Sequence, residues 1–313
     1  MKVYPRVLLF GNGLYRCYGE NSWNSFLSDL RRRNDLPDNL EYCLESPMTL
    51  RAKLIADGDI KAALDSAPGK YYGSLSNDLL RADLRLILSA GFDDIITTNY
   101  DYRLETAATD GERVTKYYLD KNARNTENGK KVEPKYLIHS YQNISFNGKS
   151  NRVWHIHGEA KKQDSMILSL YYYSNLLSRI IDYSKKKKNT YSELQSKGIS
   201  PEIKSWIDAF ILGDVYVLGF GFDYSEIDLW WLLERKKNET AEHGKVYYYD
   251  LIDENSEKGK LLKLFDVELV NFGMSLKDLS EKERDKMYFD FYGKAIKTIT
   301  GTVSGLKLSE GIK

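Results

Sequence analysis

The sequence predicts an α/β fold: a doubly wound, mostly parallel sheet with helical insertions that form a smaller subdomain. Three observations carry this reading. Short apolar runs recur along the chain (Val7 to Phe10, Ile95 to Thr97, Val215 to Leu218, Val267 to Val270), each the length of a buried strand. Amphipathic helical patterns alternate with them, as in linked strand–helix–strand units. Several of the runs also end abruptly on glycine or on an amide and carboxylate, the composition of a strand tip facing a ligand crevice.

Taken in order, Val7-Leu8-Leu9-Phe10 leads straight into Gly11-Asn12-Gly13, a first strand followed by a tight turn. Asn24 to Arg33 and Met48 to Leu64 have helical spacing, with Pro37 and Pro47 bracketing the loop between them. Leu75 to Ser89 is amphipathic and ends before Gly91, a C-cap residue. The Ile95 strand follows, with Tyr102 to Ala108 as the next helix. Ala123 to Lys131 is polar and turn-rich and reads as a surface loop. Tyr136 to His139, Val153 to His157 and Met166 to Leu168 read as strands, and Tyr171 to Tyr183 as a helix.

Ser205 to Leu212 is helical and Asp214 to Leu218 a strand with Gly219-Phe220-Gly221-Phe222 at its tip. In the next helix Ser225 and Asp228 read as caps, and Ile227, Trp230, Trp231 and Leu233 as the buried side. Strands at 245–249 and 267–270 precede a capping box, Ser280 with Glu283, that opens a C-terminal helix. We read one domain over 1–313, with helical insertions near 24–90 and 159–205 and a helical extension over 271–313.

Composition narrows the function classes. Lys and Arg total 46 and Asp and Glu 45, so the formal charge of +1 exerts no global pull on nucleic acid or anionic membrane. The Lys185–Lys188 run lacks interleaved aromatics and reads as solvated surface rather than a nucleic-acid contact. Cys17 and Cys43 form no CxxC pair, which excludes a zinc ribbon and suits a cytoplasmic location. Met1 to Phe10 has too short an apolar core for a signal peptide, and no stretch reaches the roughly 20 apolar residues of a membrane span. The 24 tyrosines and 5 tryptophans supply surface for a core or a subunit interface equally well.

The chemistry-bearing residues gather at predicted strand ends. Asn99 and Asp101 follow Ile95-Ile96-Thr97-Thr98, placed either for chemistry or simply to cap the following helix. Gly11-Asn12-Gly13 could admit a ligand phosphate or serve as a plain turn; Arg16 stands where a dinucleotide fingerprint needs glycine. His155 and His157 are two apart, a spacing that could chelate a metal. With four histidines in the chain and no ligand-spaced cysteine or carboxylate nearby, we expect no metal. His157, just before Gly158, is the one placed to face a pocket, and His155 reads as a satisfied core residue.

In this order the segments resemble the sirtuin superfamily, and more closely its bacterial defence-associated NAD hydrolases than its protein deacylases. GNGL at 11–14, TTNYD at 97–101, HG at 157–158 and LGFGF at 218–222 carry the resemblance. The abortive-infection AbiH group shares the first, third and fourth features. The resemblance implies a Rossmann-like domain with NAD+ as substrate. It implies catalytic roles for Asn99 (orienting a water or the ribose), His157, and Asp101 (binding the nicotinamide carboxamide). It also implies cofactor contacts from Gly11, Asn12, Gly13, Thr98, Gly219, Phe220 and Gly221. The activity it implies is hydrolysis of the nicotinamide–ribose bond, in antiphage defence by NAD depletion. A homo-oligomer and a separate sensor, ATPase or nuclease partner are further expectations. A non-catalytic NAD or ADP-ribose sensor is the alternative. The missing zinc ribbon and the Tyr15-Arg16 pair after the first glycines argue against a deacylase.

Overall fold

Val7, Leu8, Leu9 and Phe10 are all fully buried. Their strand, β1 (Arg6–Phe10), lies inside the sheet with parallel neighbours on both edges. The computed structural model describes residues 4–19, 64–65, 72–109, 115–118, 125–127, 130–132, 135–187 and 189–304. Among these the strands are β1, β2 (Asp94–Thr97), β3 (Thr115–Tyr118), β4 (Asn125–Glu127), β5 (Lys130–Val132), β6 (Ser140–Phe146), β7 (Lys149–His155), β8 (Asp214–Leu218), β9 (Val246–Tyr249) and β10 (Val267–Val270). Eight of them form one sheet in the order β10-β9-β8-β1-β2-β7-β6-β3, and β4 and β5 make a separate ribbon. From β10 to β7 the pairing is parallel; β6 and β3 add an antiparallel edge.

Alternation sorts the strand residues onto two faces. Val7, Leu9, Ile96, Trp154, Val215 and Val217 share one core with α4 (Leu170–Lys187), α6 (Trp206–Leu212) and α7 (Ile227–Lys237). Leu8, Phe10, Ile95, Val153, Tyr216 and Leu218 share the other. That second core takes in α1 (Gly13–Cys17), α2 (Asp78–Ala90), α3 (Arg103–Thr109) and α9 (Glu281–Ser304). Two further short helices are α5 (Thr190–Ser196) after α4 and α8 (Glu257–Leu264) between β9 and β10. No helix of the described residues is long and apolar enough to cross a membrane.

Local signals explain several boundaries. Asn77 caps α2, accepting from the Leu79 and Leu80 amides, and Gly91 ends it in the left-handed region at φ 75°. Ser205 caps α6, and the Ser280–Glu283 box opens α9. On α9, Phe291, Tyr292, Ala295 and Ile299 are buried, and Tyr288 packs against them partly covered.

Other expectations need correction. Tyr136 to His139 is not a strand. The strand is β6, joined to β7 by Asn147-Gly148, both at positive φ as a two-residue hairpin turn requires. The ladder therefore begins at Lys149 and stops at His155, short of His157. Met166 to Leu168 follows a 3₁₀ turn and forms no strand. Within the polar 123–131 stretch, β4 pairs with β5. On α7 the fully buried residues are Asp228, Leu229, Leu232, Leu233 and Lys236, while Ile227, Trp230 and Trp231 are only partly covered. The helices expected over 24–33 and most of 48–64 lie outside the described residues.

Lys236 closes the C-terminal end of α6. Only 3% exposed, its ammonium donates to the carbonyls of Phe210 (3.1 Å), Ile211 (2.9 Å) and Gly213 (2.7 Å). These are the carbonyls a helix end leaves without intrahelical partners. Burial pushes the Lys236 pKa down to about 7, with Asp214 opposing. Lys236→Met, which keeps the stem and removes the donor, is expected to cost about 3 kcal/mol by orphaning buried acceptors. Urea unfolding of the two proteins measures this, and a loss under about 1 kcal/mol would show that the cap is dispensable.

Candidate functional site

The strand tips line up. Parallel register sets Tyr249, Leu218, Phe10, Thr97 and His155 in one row across β9, β8, β1, β2 and β7. The chain leaves β1 toward β2 on one side and returns through β8 on the other. This reversal makes β1 the switch point at whose carboxyl end an open α/β sheet has its crevice.

At that end the turns after β1 and β8 press together. The Gly11 amide donates to Leu218 O (3.0 Å) and the Gly13 amide to Gly219 O (2.7 Å). A Cβ on Gly11 would lie 2.4 Å from Gly219 O, and one on Gly13 would lie 2.8 Å from the same atom. Glycine is thus required by the neighbouring backbone, and both amides are already engaged. Gly219 also needs its φ of 67°. Gly221 has open space where a Cβ would go, and its carbonyl accepts from Lys258 Nζ. Phe220 is 6% exposed and packs edge-on against Phe222. Asn12 is half-buried and makes no side-chain cap bond to α1.

Asn99 is held by its own backbone. Its N–H donates to Thr97 Oγ1 (3.1 Å), and that hydroxyl in turn donates to Phe10 O (3.0 Å). Its carbonyl accepts from His155 Nδ1 (2.9 Å), whose opposite nitrogen, Nε2, meets Glu105 Oε1 at 2.7 Å. Next to it, the Thr98 amide donates to Phe10 O, and the Thr98 side chain is half-buried. With its peptide fixed on both sides, Asn99 presents a buried Nδ2 that completes no hydrogen bond of normal geometry among the described residues, although the Tyr15 phenol lies beside it. Such a donor awaits a ligand acceptor or water.

Tyr15 stands beside the Asn99 amide. Burial raises its phenol pKa well above the ordinary value and Asp101 adds to the rise, while Arg103 and Asn99 oppose it. Asp101 is the helix cap: Oδ1 accepts from the Arg103 amide (3.0 Å) and Oδ2 from Arg103 Nη1 (2.6 Å). The capping alternative therefore describes Asp101 but not Asn99. Burial raises the Asp101 carboxyl pKa, and Arg103 pulls it down.

His155 and His157 diverge because the ladder ends between them. His157 lies on the α4 and α7 side, 2% exposed. Its Nε2 is 2.9 Å from Asp228 Oδ2 and 3.8 Å from Glu226 Oε2, while Tyr173 Oη is 3.4 Å from Nδ1. Burial works to lower the His157 pKa, and the Asp228 and Glu226 carboxylates reverse that into a net rise. Burial raises Glu226 to about 7, against the pull of His157. Asp228 was expected as a cap; the residue before α7 is Glu226, and Asp228 instead turns inward to the imidazole.

Asn99 and His157 thus share the rim without touching. Asn99 has Tyr15, Asp101 and His155 around it; His157 has Tyr173, Glu226 and Asp228. The β2 and β7 loops are zipped between them, by Ile156 N to Thr97 O (3.0 Å) and Ala160 N to Tyr100 O (2.8 Å). The intervening Tyr100 donates to Ile167 O, and its phenol pKa is raised by burial and by the charges of Glu226 and Asp228. Gly158, at φ 100°, makes the turn possible; a Cβ there would sit 2.2 Å from Ser165 O. Glu226 and Asp228 are the site residues that sequence reasoning missed. The available signal was their i, i+2 spacing just after the late glycine turn.

A family model described as a SIR2-like domain matches residues 93–270, more than half of the chain. The chain belongs to the SIR2-like family. The matched span of this SIR2-like chain holds Asn99, Asp101, His157 and the Gly219–Gly221 turn, and begins after the β1 turn. No curated protein matches the chain.

Charge on His155 links pH to stability. Burial lowers its pKa, but the Glu105 carboxylate outweighs this and lifts it from 6.5 to about 9. A raised folded-state pKa stabilises fully below the unfolded value and is lost as pH rises through the folded one. The melting temperature of the native protein is expected to contain a component that declines between pH 6.5 and 9. Glu105→Gln should remove that component; an identical pH profile in the variant would overturn the assignment.

Proposed function

We propose that the chain is an NAD+ glycohydrolase that releases nicotinamide and ADP-ribose. The observation that carries this reading is the Asn99 amide: a buried donor beside the Tyr15 phenol that completes no hydrogen bond of normal geometry, fixed through its own peptide at the carboxyl end of β2 in a SIR2-like domain. Nicotinamide leaves NAD+ as a neutral base from a cationic ring, so general-acid help is little needed. The barrier lies in the oxocarbenium-like ribose. Asn99 orients the ribose or the attacking water. His157, held by Asp228, handles the proton of that water or of a ribose hydroxyl. Family resemblance further supports cytoplasmic NAD depletion in antiphage defence, with activation through self-assembly or a separate partner protein.

A second reading, a sensor that binds NAD+ or ADP-ribose without turnover, is favoured by two contacts. Both Asp101 oxygens are engaged by Arg103, and both His157 nitrogens have protein neighbours.

Purified protein incubated at high concentration with NAD+ is expected to release nicotinamide. Asn99→Ala and His157→Ala should each lower the rate by about a hundredfold or more, the scale of a lost orienting or proton-transfer group. Undiminished activity in both variants would remove the site assignment. Saturable NAD+ binding by calorimetry with no product over long incubation would favour the sensor.

A further inference from the structure

We infer that the outer face of α4, with segment 135–139 beside it, binds single-stranded nucleic acid. Cations and tyrosine rings alternate along this face. The Lys135 ammonium lies 3.5 Å from the Tyr172 ring centroid, the Arg179 guanidinium 4.7 Å from that of Tyr136, and the Lys187 ammonium 5.7 Å from that of Tyr183. His139 stands edge-on to Tyr183 at 5.3 Å. Segment 135–139 thus follows α4 from its first turn to its last. From Tyr172 to Lys187 the row is about 22 Å long, at 1.5 Å per helical residue.

The cations of this row are unlike those elsewhere on the surface. Lys245 is met by Glu268, Lys263 by Glu254 and Arg235 by Glu239. Among the described residues, Lys135, Arg179 and Lys187 are met by rings and enter no ion pair. On α4, Arg179, Lys185, Lys186 and Lys187 face a single carboxylate, Asp182, a local excess in a chain whose formal charge is +1. The dipole at a helix C-terminus accounts for lysines in the last turn. Lys135 and Arg179 lie outside that turn.

The rings name the partner. An anionic membrane or an acidic peptide would need only the cations. Tyr171, 69% exposed and edge-on to Tyr172, leaves its ring to solvent at the start of the row. The guanidinium over Tyr136 offers a second flat surface. Unstacked bases pack on tyrosine rings and guanidinium planes while their phosphates meet neighbouring cations. In a duplex the base faces are already covered by one another, so only the phosphates would be engaged. Sequence reasoning set nucleic acid aside because no aromatic interleaves with the Lys185–Lys188 run. In the fold the rings come from earlier turns of α4 and from segment 135–139.

The inference is independent of the proposed hydrolase activity, and its test reads binding alone. Fluorescence anisotropy follows a labelled oligothymidylate of about twelve nucleotides, inside the range of single-strand sites. The native chain is expected to bind it saturably, with log K falling against log salt at a slope of about −2, the value for three neutralised phosphates. Arg179→Ala should weaken binding and flatten that slope by about 0.7. Tyr171→Ala should weaken binding more than about fivefold and leave the slope unchanged, the mark of a lost stacking contact. Lys263→Ala, on α8, should bind like the native chain; circular dichroism checks that all three variants fold. No binding by the folded native chain would overturn the site. So would native-like affinity in both Arg179→Ala and Tyr171→Ala, or a loss in Lys263→Ala as large as theirs. A duplex of the same length, or phosphatidylserine vesicles, competing as well as unlabelled oligothymidylate would show a purely electrostatic surface and end the assignment to single strands.

Discussion

The rim of this sheet depends on the fixing of one peptide. Asn99 has its N–H held by Thr97 and its C=O held by His155, so its side chain leaves the backbone in one direction. Neither clamp is free-standing. The Thr97 hydroxyl is itself oriented by Phe10 O on β1, and the His155 ring by Glu105 on α3. The position of one amide thus draws on two strands beside β2 and on the helix after it. A loop residue without such supports would sample several rotamers, and an amide that must meet a ligand acceptor loses most of its value when mobile.

The glycine turns do different work from the one their sequence suggests. Gly11, Gly13 and Gly219 permit the β1 and β8 turns to touch backbone to backbone, and the amides of Gly11 and Gly13 close that contact. A side chain at any of them would push β8 away from β1 at its carboxyl end. Because α7 follows β8 directly, the same displacement would carry Glu226 and Asp228 away from His157. The turns therefore set the spacing between the Asn99 and His157 groups whether or not they also receive a phosphate.

The sheet frame was legible wherever burial on two faces produced an uninterrupted apolar run, as in Val7 to Phe10 and Val215 to Leu218. Edge elements were not: β6 alternates polar and apolar residues, so its pairing had to be read from Asn147-Gly148, a two-residue signal easily passed over. The candidate site was legible in part. Asn99 and His157 stand at strand ends that local pattern marks. Their neighbours do not, because Tyr15, Glu105, Glu226 and Asp228 come from three helical segments whose approach is decided by tertiary packing. Trp230 and Trp231 misled the reading of α7, since ring size suggested burial while Asp228 and Lys236 took the inward positions. Both are paid for by specific partners, the imidazole and a helix end, which no periodicity displays.

Charge separates the two histidines more sharply than their positions do. Around the sheet, several buried or half-buried carboxylates are given a cation: Asp101 has Arg103, Asp94 has Arg152, Glu159 has Lys116, and Glu105 has His155. Buried Asp208 instead accepts from the Tyr183 and Tyr191 hydroxyls and the Lys204 amide. Glu105 leaves one oxygen unbonded, yet it has a cation of its own. Among the described residues, two carboxylates, Glu226 and Asp228, meet one imidazole only around His157. His155 is therefore a closed arrangement, with both ring nitrogens used, one acid balanced and a backbone carbonyl held. His157 sits in an open one, where burial and the neighbouring Asp228 lift Glu226 to about 7 and Asp228 Oδ1 and Glu226 Oε2 complete no hydrogen bond. In a protein interior two carboxylates so close persist only where something completes them, whether a proton on one of them or the cationic ring of a ligand.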